Sequence, residues 1–120
     1  MSLPKLQTIG VVVAGTGYEG RAAVIRRHCR EGMPVDLRRE PDNPHDPDAI
    51  GVWLQCPTML GLLRPWKKVG YVKAPRAGKW AALLDDGSMQ VTRAIVRSFY
   101  APDDNDYWPR ISLEVDLARK

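Results

Sequence analysis

The sequence predicts an α+β domain, mostly β, of five to six short strands with two short helices. Three observations carry that expectation. Ten glycines and ten prolines in 120 residues punctuate the chain too often for long helices. Several apolar runs alternate with polar residues at period two, and only two stretches group their apolar residues at helical spacing. The length fits a single core, so 1–120 reads as one domain.

Thr8 to Ala14 is apolar and β-branched and runs into Gly15-Thr16-Gly17-Tyr18-Glu19-Gly20, a strand leading into a tight loop. Ala22 to Arg30 suits a helix: Ala22, Val24, Ile25, His28 and Cys29 share one arc, Arg26, Arg27 and Arg30 the other, and Gly32 is placed to end it. Val35 and Leu37, then Ile50, Val52 and Leu54, form two half-buried strands. Trp53 points away from Ile50 and Val52, so it is either covered by a second layer or exposed for a purpose. Gln55 to Pro65 is a longer loop whose Met59, Leu60, Leu62 and Leu63 are expected to tuck back onto the domain. Lys68 to Lys73 is a further strand. Pro75 opens a second helix with Ala77, Trp80, Ala81 and Leu84 on one face and Gly87 at its close. Gln90 to Phe99 and Arg110 to Leu117 are strands separated by the polar linker Asp103 to Asp106.

Between the second and third strands lies Arg39-Glu40-Pro41-Asp42-Asn43-Pro44-His45-Asp46-Pro47-Asp48-Ala49-Ile50, with three prolines, three aspartates, an asparagine and a histidine. It is too stiff for a linker and too polar for a core. Its side chains suit Asx-type turns around the prolines, or a binding site. The net charge is +4, which permits a polyanion partner without requiring one. No acid occurs from Ala49 to Leu84, whereas Arg64, Lys67, Lys68, Lys73, Arg76 and Lys79 do.

Several function classes lack support. Gly15 to Gly20 matches G-x-G-x-x-G, but no acidic residue follows at the right distance and the chain is short for a doubly wound sheet. No nucleophile elbow, phosphate-binding loop with Lys-Ser/Thr or paired helical histidines occurs, so no catalytic residue is assigned and an enzyme is not expected. His28, Cys29, His45 and Cys56 lack the close ligand pairs of zinc modules. Asp42, Asn43, Asp46 and Asp48 lack the bending glycine and distant glutamate of a calcium loop, so neither metal nor cofactor is called for. No apolar run spans a bilayer, and Met1 to Gly10 lacks the pattern of a secretory signal. No membrane partner and no small-molecule substrate are expected, and the location expected is cytoplasmic.

The Gly15 to Gly20 loop, the Arg39 to Ile50 segment, Val69-Gly70-Tyr71-Val72 and Ala81 to Gly87, in that order, resemble the HIRAN domain over roughly residues 9–100, with the strand at 110–117 beyond. That family is found alone in bacteria and at the front of some Swi/Snf-type fork-remodelling helicases. The resemblance implies a small OB/SH3-like β-barrel that binds single-stranded or frayed DNA and, as in the helicase members, could capture a free 3′-hydroxyl end, in repair or replication-fork processing. Asn43 and Asp46 would then bond the terminal nucleotide, with Asp46 facing the hydroxyl. His45 and Tyr18 would flank the terminal bases, with Thr16 in the same loop and Tyr100 near the cleft, and Lys73 would meet a phosphate. Lys67, Lys68 and Arg76 of the basic stretch would continue the phosphate contacts.

Two positions depart from the family pattern. Gly17-Tyr18 replaces an aromatic pair and His45 replaces a tyrosine. At ~1 to 3 kcal/mol per stacked base, one lost wall weakens binding roughly ten- to a hundredfold. The Gln55 to Trp66 loop is also longer than the usual turn. Other functions compatible with the sequence are an interaction or accessory subunit of a helicase or nuclease and, less favoured, a metal-assisted phosphoesterase using His45 with Asp42, Asp46 and Asp48.

Overall fold

The computed structural model describes residues 5–102 and 108–120; the linker at 103–106 lies outside them. The chain order is β1 (Lys5–Ala14), α1 (Arg21–His28), β2 (Val35–Arg39), β3 (Ile50–Gln55), a short 3-10 turn (Met59–Gly61), β4 (Trp66–Val72), α2 (Ala74–Asp85), β5 (Met89–Tyr100) and β6 (Arg110–Arg119). The six strands form one antiparallel sheet in the order β2-β3-β4-β1-β6-β5.

β1 joins the two halves of the sheet. Lys5 to Val12 pair with β6, whereas only Val13 and Ala14 pair with β4. The alternation along β6 is the simplest link from sequence to core: Ile111, Leu113, Val115 and Leu117 are all fully buried, each contributing roughly 1.5–3 kcal/mol by leaving water. That strand lies between β1 and β5, so it is central to the domain rather than an addition to a core ending near residue 100.

The sheet curls but does not close into the expected barrel. Its outer strands meet only at the isolated Pro34–Ile95 bridge, flanked by hydrogen bonds from Gly32 N–H to Val96 O at 2.8 Å and from Val96 N–H to Met33 O at 3.0 Å. Pro34 has no N–H to extend a ladder. Both helices pack onto the core of the sheet, with Ile25 of α1 and Ala77, Trp80 and Ala81 of α2 buried. No helix of the described residues is long and apolar enough to cross a membrane.

Three local expectations need correction, and of the two alternatives at Trp53 the covered one holds. α1 ends at His28, and Gly32 instead turns the chain toward β5. Lys73 is the N-cap of α2 rather than the end of a strand. Met59, Leu60, Leu62 and Leu63 do not tuck back: all four are exposed, because Met59, Leu60 and Gly61 adopt consecutive left-handed conformations that turn the tip outward. Trp53 is covered, but by cations: the Arg38 guanidinium lies 4.5 Å and the Lys68 ammonium 5.5 Å from its ring centre.

Candidate functional site

The segment between β2 and β3 is a fixed loop. Arg39 clamps it, donating from Nη1 to Ala49 O at 2.7 Å and from Nη2 to Pro47 O at 2.9 Å. The same guanidinium makes a bidentate contact with Asp85 at the end of α2, 2.9 Å on each branch. Inside the loop, Asn43 Oδ1 accepts from the backbone N–H groups of His45 and Asp46 at 2.9 and 3.1 Å, and Asp46 Oδ1 accepts from Asp48 N–H at 2.9 Å. The turn-building role of these residues is therefore real. It leaves Asp46 Oδ2 and the His45 ring without hydrogen bonds among the described residues.

Opposite stands the first loop. Arg21, with a side chain only 8% exposed, donates to Gly15 O and to Glu19 Oε2, both at 2.9 Å, and its guanidinium lies 5.0 Å from the Tyr71 ring centre. Between the two loops is a cavity of about 430 Å³ whose walls include Tyr18, Arg21, Asn43, His45, Asp46 and Tyr71. A groove of about 620 Å³ shares Glu19, Asn43, His45 and Tyr71 with it and continues past Glu40 and Lys68. A largely apolar cleft with two carboxylates, Glu19 and Asp46, and one guanidinium, Arg21, suits a ligand that has flat faces and a few hydrogen-bonding groups.

A charged network beneath the loop holds Asn43. Lys68 Nζ lies 2.7 Å from Glu40 Oε2 and 3.0 Å from the Tyr71 hydroxyl. Glu40 Oε1 accepts from Tyr71 Oη and from Asn43 Nδ2, both at 3.2 Å. Burial acts to raise the Glu40 pKa, but its bonds to Lys68, Asn43 and Tyr71 outweigh burial and hold the carboxyl below its ordinary value. For Lys68, burial acts downward, while Glu40 and Tyr71 prevail and raise it. Gly51 makes room for this arrangement, since a Cβ there would lie 2.5 Å from Glu40 Oε2.

The structure brings Tyr18, Asn43, His45 and Asp46 to one cavity. Lys73 stands at its edge, between the lining residues Val72 and Ala74. Thr16 departs from expectation: it is buried, and its hydroxyl donates to Pro109 O, so it anchors the loop rather than facing a ligand. Tyr100 lies in a separate groove with Thr16 and Trp108. The three cations assigned to phosphate diverge: Lys68 is held in the Glu40 network, Arg76 lies 5.3 Å from the Trp80 ring centre, and Lys67 is near enough to His28 at the end of α1 to act on it electrostatically. The four conceivable zinc ligands are also divided. His45 is at the cavity, whereas burial pushes the Cys29 thiol up to about 11 and raises that of Cys56 as well. Among the described residues no group of three or more His, Cys, Asp or Glu side chains is placed to hold a metal ion.

Arg21 and Glu40 carry no sequence signal that assigns them to the site, whereas Trp108 is one of four tryptophans, with Trp53, Trp66 and Trp80, that the sequence offers as plausible stacking partners. Gly17 explains how Trp108 fits. A Cβ on Gly17 would lie 2.3 Å from Trp108 Cδ2, so the glycine admits an indole that also meets Tyr18 edge-on, ring centres 5.1 Å apart. Trp108 thus supplies an aromatic face beside Tyr18, where the first loop itself has only one ring.

A curled, six-stranded antiparallel sheet with its cleft between a glycine-rich loop and a proline-fixed turn defines a small binding module rather than a doubly wound enzyme fold. The chain belongs to the HIRAN domain family, whose model matches residues 6–118, further than the resemblance from sequence because β6 is included. The crystal structure of the HIRAN domain of human HLTF is similar at TM-score 0.65 and 20% identity, covering 98% of this chain and 81% of that one. The NMR structure of the HLTF HIRAN domain in its DNA-bound conformation gives 0.63 and 22%, covering 98% and 80%. A crystal structure of a Lactobacillus plantarum protein gives 0.66 and 25%, covering 98% and 99%. No curated protein matches this chain significantly.

Proposed function

We propose that this domain binds single-stranded DNA and takes a free 3′-hydroxyl end into the cavity between its first loop and the Asn43–Asp46 turn, in the processing of DNA ends during repair or at replication forks. The observation that carries this reading is the position of Asp46, in a cavity also walled by Tyr18, Tyr71 and His45, with one carboxylate oxygen not engaged by the loop. A 3′-terminal nucleotide carries a hydroxyl where an internal one carries a phosphodiester. The Asp46 carboxylate accepts a hydrogen bond from the hydroxyl and repels a phosphate, so one group both favours an end and disfavours an interior. The rings flank the bases, and Arg21 and Lys73 border the cavity as cations. Membership of a family with a DNA-bound structure supports the same ligand class.

Fluorescence anisotropy with short oligonucleotides ending in a 3′-hydroxyl or a 3′-phosphate, at about 50 mM salt, tests the proposal. Wild type should prefer the hydroxyl by about tenfold or more, one charge-assisted hydrogen bond being worth roughly 1.5–3 kcal/mol. Asp46→Ala should remove the preference while leaving most of the total binding. Equal affinity of wild type for both ends refutes end capture.

A further inference from the structure

The β3–β4 connection forms an apolar knob whose tip is exposed to the limit, Leu60 at 104% and Leu62 at 81%. Met59 and Leu60 hold φ 49° and 59°, a conformation costing L-residues roughly 1–2 kcal/mol each. The neck is fixed by the Thr58–Leu63 bridge and by the hydrogen bond from Cys56 N–H to Pro65 O at 2.8 Å. Four exposed large apolar side chains on a fixed, strained turn form an interaction surface.

The neck residue Cys56 is close enough to Cys29, the residue that follows α1, to act on its thiol electrostatically, and both side chains are buried. Arg27 and His28 close that helix, Arg30 follows it, and Lys67, near the start of β4, is close enough to His28 to act on it electrostatically together with both arginines. Burial, and then the cations Lys67, Arg27 and Arg30, hold the His28 imidazole below its ordinary value. None of these three cations makes an ion pair among the described residues, although the exposed Glu31 follows Arg30 in sequence. An apolar tip beside unneutralised cations complements a ligand whose apolar face is bordered by phosphates. The end of a DNA duplex has that composition, an open base pair between two charged backbones.

Placement agrees with this occupant. β4 runs from beside the knob at Trp66 to the cavity at Val72, about 20 Å at 3.3 Å per residue. That distance is roughly six nucleotides at a stacked spacing of 3.4 Å.

We infer that the Met59–Leu63 knob and the Arg27, Arg30 and Lys67 cluster form a second DNA contact, abutting the last base pair of a duplex whose 3′-ended strand enters the cavity. The inference rests on the proposed end capture. The leucines cover the terminal pair as apolar wedges do between base steps, and the cations hold the flanking phosphates. The domain would then bind a junction, with a single-stranded end at one side and a duplex at the other.

The test compares wild type with the double variant Leu60→Ser, Leu62→Ser, whose side chains are exposed and leave the core intact. Two DNAs are used: a single strand, and a hairpin duplex with a 3′ overhang of about six nucleotides carrying 2-aminopurine in its last base pair. The variant should bind the single strand as wild type does and lose about tenfold in affinity for the overhang duplex. The change in 2-aminopurine fluorescence on binding should disappear with it. Arg27→Ala with Arg30→Ala should weaken duplex binding and reduce its salt dependence. Unchanged duplex affinity and fluorescence in the serine variant would assign the knob to another partner, such as a protein, and overturn the inference. Failure of end capture reads differently: wild type would then not distinguish 3′-hydroxyl from 3′-phosphate on a plain single strand.

Discussion

Glu40 gives the most direct test of how the site is held. Its carboxylate has one ion pair, to Lys68 at 2.7 Å, and two longer bonds at 3.2 Å, from Asn43 and Tyr71. The Glu40 and Lys68 side chains are 22% and 25% exposed, so water replaces the lost partner only in part. A hydrogen bond to a charged group contributes roughly 1.5–3 kcal/mol and a neutral one 0.5–1.5; with partial exposure the lower ends apply. Glu40→Ala should therefore cost about 2–3 kcal/mol. In a domain of this size about 1 kcal/mol moves the melting temperature by roughly 4 °C, so Tm should fall by about 8–12 °C. Glu40→Gln keeps an acceptor for Asn43 and loses the charge, at about 1 kcal/mol and roughly 4 °C.

The pH dependence separates the charge from mere packing. Because the folded pKa of Glu40 lies below its unfolded value, its contribution is present above roughly pH 4.3 and is lost as pH falls through the folded value. Lys68 is raised, so its contribution is present below roughly pH 10.4 and disappears as pH rises through its folded value. Thermal melts followed by circular dichroism should show the gap between wild type and Glu40→Gln at pH 7 and its narrowing at pH 3, below the ordinary carboxylate value. A gap of the same size at both pH values, or a Glu40→Ala protein melting within about 2 °C of wild type, would refute the network as described.

Two glycines give further tests. On Gly70 a Cβ would lie 2.4 Å from Ala14 O and 2.5 Å from Val13 Cγ1, so Gly70→Ala should part the short β1–β4 pairing at a cost of about 3 kcal/mol, read as a Tm lower by roughly 12 °C. Gly17→Ala should displace the Trp108 ring and leave stability within about 1 kcal/mol, since the contact is at the surface. Tryptophan emission should shift in that variant, and not when Gly17→Ala is made in a Trp108→Phe background.

The parts legible in the sequence are those that local periodicity determines. β6 reads directly because Ile111, Leu113, Val115 and Leu117 alternate and all face one core, and α2 reads from Ala77, Trp80 and Ala81 on one face. What the sequence conceals depends on distant partners. The Arg39–Asp85 clamp spans 46 positions and the Tyr71–Glu40 bond spans 31, and neither residue type marks its partner. The basic stretch from Arg64 to Lys79 likewise reads as one track, yet an extra residue at Val69 in the β3–β4 pairing, followed by the turn into α2, sends Lys67, Lys68 and Arg76 to different surroundings.

Asn43 shows why turn formation and ligand binding were hard to separate from sequence. Its Oδ1 is used by the backbone of His45 and Asp46, and one Nδ2 hydrogen by Glu40. Those bonds fix where the next two side chains point. A free loop would have to order itself on binding, at about 1–2 kcal/mol per residue; here Asn43, Arg39 and the prolines have already ordered it. Building the turn is thus the means by which His45 and Asp46 are presented to the cavity, and the same residue types serve both purposes. It follows that Asn43→Ala should weaken binding mainly by loosening His45 and Asp46, so its effect should shrink when Asp46 is already alanine. Independent, additive effects of the two substitutions in a double-mutant cycle would instead make Asn43 a direct contact with the ligand.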